Sequence, residues 1–194
     1  MEYKTLSNGI KIPQIGYGTI ERNTTDIINA IKIGYRHIDS AQSYANEKEL
    51  GEAVEYCIKN NIVKREELFI TTKLHAHLPN NYEIAIKSLK ESLKKMKLDY
   101  ADMYLIHAAN MYGDNRWWHK NEELWSAFEA LYKQGIVKSI GVSNFMPYHL
   151  ERLLKTANIK PMINQIELHP MWQQKELVEF CVKQNILLCA WAPL

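Results

Sequence analysis

Cysteine is scarce in this 194-residue sequence: Cys57, Cys181 and Cys189 are odd in number and widely spaced. None has the short spacing of a metal site, and no metal is expected. Cys57 and Cys181 fall in helix-like runs and Cys189 in an apolar strand, so all three read as buried free thiols of a reducing compartment. An excess of one charge sign is also missing, with 24 Lys and Arg against 22 Asp and Glu. No basic stripe is interleaved with aromatics, which argues against a nucleic-acid partner. The lysine-rich run 87–97 carries Glu91 and reads as a solvated helix face. No apolar run approaches the roughly 18 residues of a membrane span, and Met1-Glu2-Tyr3-Lys4 lacks the apolar stretch of a secretion signal. A soluble, cytoplasmic protein with no membrane partner is the expectation. Linkers, internal repeats and low-complexity segments are absent too, so residues 1–194 read as one domain or a piece of a larger one.

Apolar residues make up 46% of the chain, enough for a real core. The pattern predicts a hairpin, with Tyr3 to Leu6 and Ile10 to Ile12 flanking Ser7-Asn8-Gly9 and Pro13 ending it, since Asn-Gly is a strong hairpin signal. Beyond it, strands are expected at 15–17, 35–38, 68–72, 102–106, 136–142, 162–166 and 186–191. Helices are expected at 25–33, 46–59, 82–96, 122–134, 148–157 and 175–183. Asn46 stands as N-cap of the second helix, and Leu50, Ala53, Val54 and Cys57 recur at helical spacing along it. Gly34 closes the first helix. A longer insertion, 108–120, carries Trp117 and Trp118. Strand and helix alternate with short connections, which predicts parallel βαβ units.

Polar groups stand at successive strand ends: Asp39 with Tyr44, then Lys73, then His107. A doubly wound sheet is one arrangement, but side chains gathered from many strand ends point to a barrel. Eight strands and about 250 residues are usual there, and seven strands are counted here. Each residue alone has a plain reading: Asp39 as a helix cap, Lys73 as a surface charge, His107 as a structural histidine. Together they make a chemical set. A phenol titrates near pH 10, so it relays protons poorly unless a cation such as the Lys73 ammonium favours its ionised form. Asp39 can hold that lysine, and His107 can donate to a substrate oxygen flanked by Tyr44. The set suits general acid catalysis on a carbonyl that accepts a hydride at carbon.

The segment Gly34-Tyr35-Arg36-His37-Ile38-Asp39-Ser40-Ala41, with Tyr44 and Asn46-Glu47, resembles the first signature of the aldo-keto reductases. Leu105-Ile106-His107, Gly141-Val142-Ser143-Asn144-Phe145 and Asn164-Gln165-Ile166-Glu167-Leu168-His169-Pro170 are similar to further motifs of that family, in order and spacing. The branch resembled is that of bacterial aldose and 2,5-diketo-gluconate reductases. The resemblance implies a (β/α)8 TIM barrel with an N-terminal hairpin over its bottom, incomplete at seven strands. It also implies reversible, NADPH-dependent reduction of aldehydes and ketones, with NADH open as an alternative. Tyr44 would be the proton donor, completed by Asp39, Lys73 and His107. Ser143, Asn144 and Gln165 would bind the nicotinamide carboxamide and Trp191 would stack on its ring. Gly18, Thr19 and Asp39 would lie near the cofactor. The family lacks a glycine-rich dinucleotide fingerprint, as does this chain.

Ile20, His75 and Ala108 stand where the family often places aromatic rings. Together with His107 they are the expected substrate contacts, and they imply a wider, more polar pocket. Trp117 or Trp118 either refills that space or packs on its own helix. The seventh strand runs close to Leu194, so the chain reads as a C-terminally truncated barrel whose groups for choosing NADP over NAD are absent. A full-length form would be a monomer, and a truncated one could associate through exposed sheet edges. Two functions compete: a reductase, and an inactive fragment or non-enzymatic binding protein on the same fold, as in potassium-channel β subunits.

Overall fold

A computed structural model describes residues 1–75, 81–109 and 117–193. The hairpin is formed by β1 (Tyr3–Thr5) and β2 (Lys11–Pro13), antiparallel, with Tyr3 opposite Pro13. Gly9 takes the left-handed turn position at φ 85°. Asn8 Nδ2 donates to the Lys138 carbonyl at 3.1 Å, just ahead of a sheet strand, which seats the hairpin at the strands' N-terminal ends.

Seven parallel strands follow in chain order: β3 (Gly16–Gly18), β4 (His37–Asp39), β5 (Phe69–Leu74), β6 (Met103–Ile106), β7 (Ile140–Ser143), β8 (Ile163–Glu167) and β9 (Leu187–Trp191). Among the described residues each pairs only with its sequence neighbours, which leaves β3 and β9 as the two edges. This is a barrel wall of seven strands, incomplete as the sequence count predicts. β5 is buried along its whole length, as a parallel strand covered on both faces must be. Its alternation divides the two sides. Thr71 and Lys73 meet groups of β4, whereas Thr72 donates to Glu47 of a helix at 2.8 Å.

Helices α1 (Thr24–Lys32), α2 (Glu47–Lys59), α3 (Tyr82–Met96), α4 (Trp117–Lys133), α5 (Pro147–Leu153) and α6 (Lys175–Gln184) lie outside, each packed on the next. Asn23 and Asp26 form a capping box that starts α1. Gly34, at φ 111°, ends it, while Tyr35 N–H reaches back to the Ala30 carbonyl at 3.0 Å. One contiguous cluster of buried apolar side chains fills the space between sheet and helices. No helix among the described residues is long and apolar enough to cross a membrane.

Two expectations are corrected. Helix α4 begins at Trp117, not near residue 122, because the helical period runs back through Trp118 to match Trp125 one heptad on. Asn46 occupies the N-cap position of α2 but makes no capping bond. Its amide instead donates to the carbonyls of Thr19 and of Arg22, the latter at 3.0 Å, tying down the loop after β3.

The α2–α3 contact depends on a missing side chain. A Cβ at Gly51 would run into the backbone carbonyl of Met96 at the end of α3. Gly51→Ala is therefore expected to cost about 3 kcal/mol, the upper end for overpacking, because backbone cannot step aside. Urea unfolding would measure it.

Candidate active site

The site is assembled at the C-terminal ends of the strands. Asp39 closes β4 and pairs in register with Thr71, so Lys73 stands two residues further along β5 on the same inward face. The Lys73 side chain is wholly buried, and that of Asp39 is 15% exposed. A buried ammonium must find acceptors for its hydrogens. Lys73 Nζ donates to Asp39 Oδ2 at 2.7 Å, to the Ser40 carbonyl at 3.1 Å and to the Tyr44 hydroxyl oxygen at 3.3 Å. Burial by itself pushes the Lys73 pKa down. The Asp39 carboxylate, and after it Tyr44, outweigh that and hold it above its ordinary value. The lysine is thus a permanent cation aimed at a phenol.

Tyr44 ends a short 3-10 turn, Gln42–Tyr44, and Ala45 then takes a left-handed conformation at φ 56°. The turn is anchored by Gln42. Its amide donates to the Ser88 carbonyl at 2.9 Å and the Ser92 hydroxyl at 3.0 Å, both on α3, and its oxygen accepts from His75 N–H at 3.0 Å. His107 follows β6. Its carbonyl accepts from the Asn144 amide at 3.0 Å, and its ring stands edge-on to the Tyr44 ring with centroids 5.8 Å apart. The Ser43 hydroxyl lies 3.3 Å from His107 Nδ1.

On the facing side, Ser143 at the end of β7 donates to the Gln165 carbonyl at 2.9 Å. Asn144 follows in a left-handed conformation, φ 58°. Its amide nitrogen also reaches Ser143 Oγ at 3.1 Å, and its oxygen accepts from the Trp191 indole at 2.9 Å. Gln165 Nε2 donates to Cys189 Sγ at 3.7 Å. Burial pushes that thiol up to about 11, which leaves it protonated and unreactive at neutral pH.

A cavity of about 890 Å³ lies between these two sides. Gly18, Ile20, Asp39, Tyr44, His107, Ser143, Asn144, Gln165 and Trp191 line it. It continues down to His37, Ile12 and Leu187, between the edges β3 and β9, so the barrel interior stands open on that side. Thr19, Lys73, His75 and Ala108 are not part of its wall. Thr19 is fully buried and instead donates, through both N–H and hydroxyl, to the Asp39 carbonyl. His75 meets Gln42 through its backbone. Trp118 also stays outside the wall, with the Arg152 guanidinium 5.4 Å above its ring, so it packs among helices and does not refill the pocket. The Trp117 side chain and most of the 108–120 insertion lie outside the described residues.

Sequence reasoning missed Gln42, Ser43 and the Ser40 carbonyl. Their position between Asp39 and Tyr44 was the available signal. Among the described residues no group of three or more His, Cys, Asp or Glu side chains could hold a metal ion.

Residues 15–194 match the model of the aldo/keto reductase family. A glyoxal reductase of Bacillus subtilis is 44% identical over 97% of this chain and 66% of its own length. A methylglyoxal reductase of Escherichia coli is 40% identical over 97% of this chain and 66% of its own. The chain thus spans about two thirds of the length of these relatives. The crystal structure of a Bombyx mori aldo-keto reductase in complex with NADP superposes with a TM-score of 0.91 at 35% identity, covering 98% of this chain and 66% of that one.

Removing one member of a buried ion pair strands the other. Asp39→Ala is expected to lower stability by about 3–5 kcal/mol. Adding Lys73→Met to that variant should recover most of the loss. Chemical denaturation of the two variants would test both statements.

Proposed function

The chain belongs to the aldo/keto reductase family, and we propose that it reduces small aldehydes and ketones with NADPH, α-oxoaldehydes such as glyoxal and methylglyoxal among them. The observation that carries this reading is the Lys73 ammonium, buried and donating to both Asp39 and the Tyr44 phenol. A binding module has no need of such a cluster.

In this reading the substrate oxygen lies between the Tyr44 hydroxyl and the His107 ring. Tyr44 gives its proton to that oxygen as negative charge builds there. Lys73, already hydrogen-bonded to the phenol oxygen, stabilises the phenolate left behind. Asp39 keeps Lys73 charged and oriented. His107 donates a second hydrogen bond to the same oxygen. In the reverse direction Tyr44 takes a proton from the alcohol.

The cavity wall suits a nicotinamide cofactor. Asp39 Oδ1 is buried without a hydrogen-bond partner among the described residues, an acceptor waiting for a donor such as a cofactor hydroxyl. Gly18 leaves the wall open, since a Cβ there would meet nothing within 4 Å. Ser143, Asn144 and Gln165 offer hydroxyl and amide groups matched to a carboxamide, and the partly exposed Trp191 offers a flat apolar face. Bound reduced nicotinamide would supply the hydride to the carbonyl carbon. Ile20, 58% exposed, lines the cavity and is the substrate contact best supported, whereas His75 and Ala108 are not among its lining residues. The free cysteines support a reducing, cytoplasmic setting, and we take residues 1–194 as one barrel unit.

The alternative is a non-enzymatic binding protein on the same fold. Tyr44→Phe separates the two readings. Reduction of methylglyoxal should fall by about 100-fold or more, the usual contribution of a positioned general acid. NADPH binding, followed by tryptophan fluorescence, should stay as in the parent chain. Turnover that survives Tyr44→Phe would remove the phenol from its assigned role.

A further inference from the structure

We infer that Ser43 is a positioning residue that holds His107 as the Nε2–H tautomer, so that the ring presents a donor to the substrate oxygen. The inference rests on the carbonyl-reducing reading above and names the group that makes His107 a donor. A neutral imidazole has one N–H and one bare nitrogen. With the bare nitrogen toward a carbonyl oxygen, two lone pairs would face each other and the second hydrogen bond would be lost.

The Ser43 hydroxyl lies 3.3 Å from His107 Nδ1. Ser43 is exposed, so water can satisfy its oxygen lone pairs while its proton goes to the ring nitrogen. Nδ1 then accepts, and the ring proton sits on Nε2. The His107 backbone is already held between two strand ends, through N–H to the Leu74 carbonyl at 3.4 Å and through its carbonyl to Asn144 at 3.0 Å. Backbone anchoring does not choose a tautomer; a hydrogen bond to the ring does.

The placement also couples two groups. Ser43 and Tyr44 are successive residues of the one turn that Gln42 fastens to α3. One residue of that turn brings the phenol to Lys73 and the next brings a hydroxyl to His107. Both hydrogen bonds to a carbonyl oxygen are therefore set by a single three-residue element.

The test reads the ring directly. Long-range ¹⁵N–¹H NMR of the whole chain, at a pH where the ring is neutral, reports which nitrogen carries the proton. His107 is assigned among the seven histidines by the signals lost in His107→Asn. The expected result is Nε2–H in the parent chain, a shift toward a mixed population in Ser43→Ala, and return in Ser43→Thr, which keeps the hydroxyl. In turnover, Ser43→Ala should lower kcat about fivefold, the size of one net hydrogen bond, with KM for NADPH unchanged. A parent ring protonated on Nδ1, a tautomer unmoved by Ser43→Ala, or a change that Ser43→Thr fails to restore would each overturn the inference. The spectrum needs no turnover, so a chain that reduces nothing would count against the proposed reaction and still leave the tautomer readable.

Discussion

A cation with no access to water organises this molecule. Lys73 emerges from a strand buried on both faces, and its ammonium can stay charged only if the chain brings acceptors to it. Asp39, the Ser40 carbonyl and the Tyr44 phenol are those acceptors, and all three come from β4 and the five residues that leave it. The parallel register of β4 on β5 makes that supply reliable, since Asp39 beside Thr71 fixes how far Lys73 reaches past the strand end. The same contacts that make the lysine tolerable would, in the proposed reaction, stabilise the conjugate base of the phenol. Structure and chemistry here answer to one electrostatic requirement.

The groups packed closest to the ion pair are neutral by comparison. Burial lowers the pKa of His37 and holds it uncharged against Thr71 at 3.0 Å beneath the ion pair, and burial keeps the Cys189 thiol protonated. A charged group at either position would compete with Asp39 for Lys73 or repel it. The amide and hydroxyl groups at the ends of β7 and β8 are likewise uncharged. In the proposed reaction a carbonyl oxygen would meet the Lys73 cation behind the Tyr44 phenol.

Much of this was legible in the sequence, because the deciding signals are local or periodic. Asn8-Gly9 marks its own turn, Leu50, Ala53, Val54 and Cys57 mark the buried face of α2, and Asp39, Lys73 and His107 each follow a run of strand formers. What stayed hidden depends on partners distant in the chain. Asn46 looks like a cap by type and position, yet the carbonyls after β3 claim its amide. Trp118 looks free to fill a pocket until Arg152 and the early start of α4 place it elsewhere. Thr19 and His75 sit beside the right motifs but are not among the residues that line the cavity. Gln42 and Ser43 carry no motif, and their roles appear only when α3 and His107 are brought alongside.

In the proposed function the phenol, the ammonium and the amide-lined wall form one site that receives a reduced nicotinamide against Trp191. Titrating this chain with NADPH while following tryptophan fluorescence tests it most directly. Saturable quenching that is largely lost in Trp191→Phe is expected, because that ring lines the cavity where the nicotinamide would lie. Absence of saturable quenching, or quenching of the same size in Trp191→Phe, would contradict it.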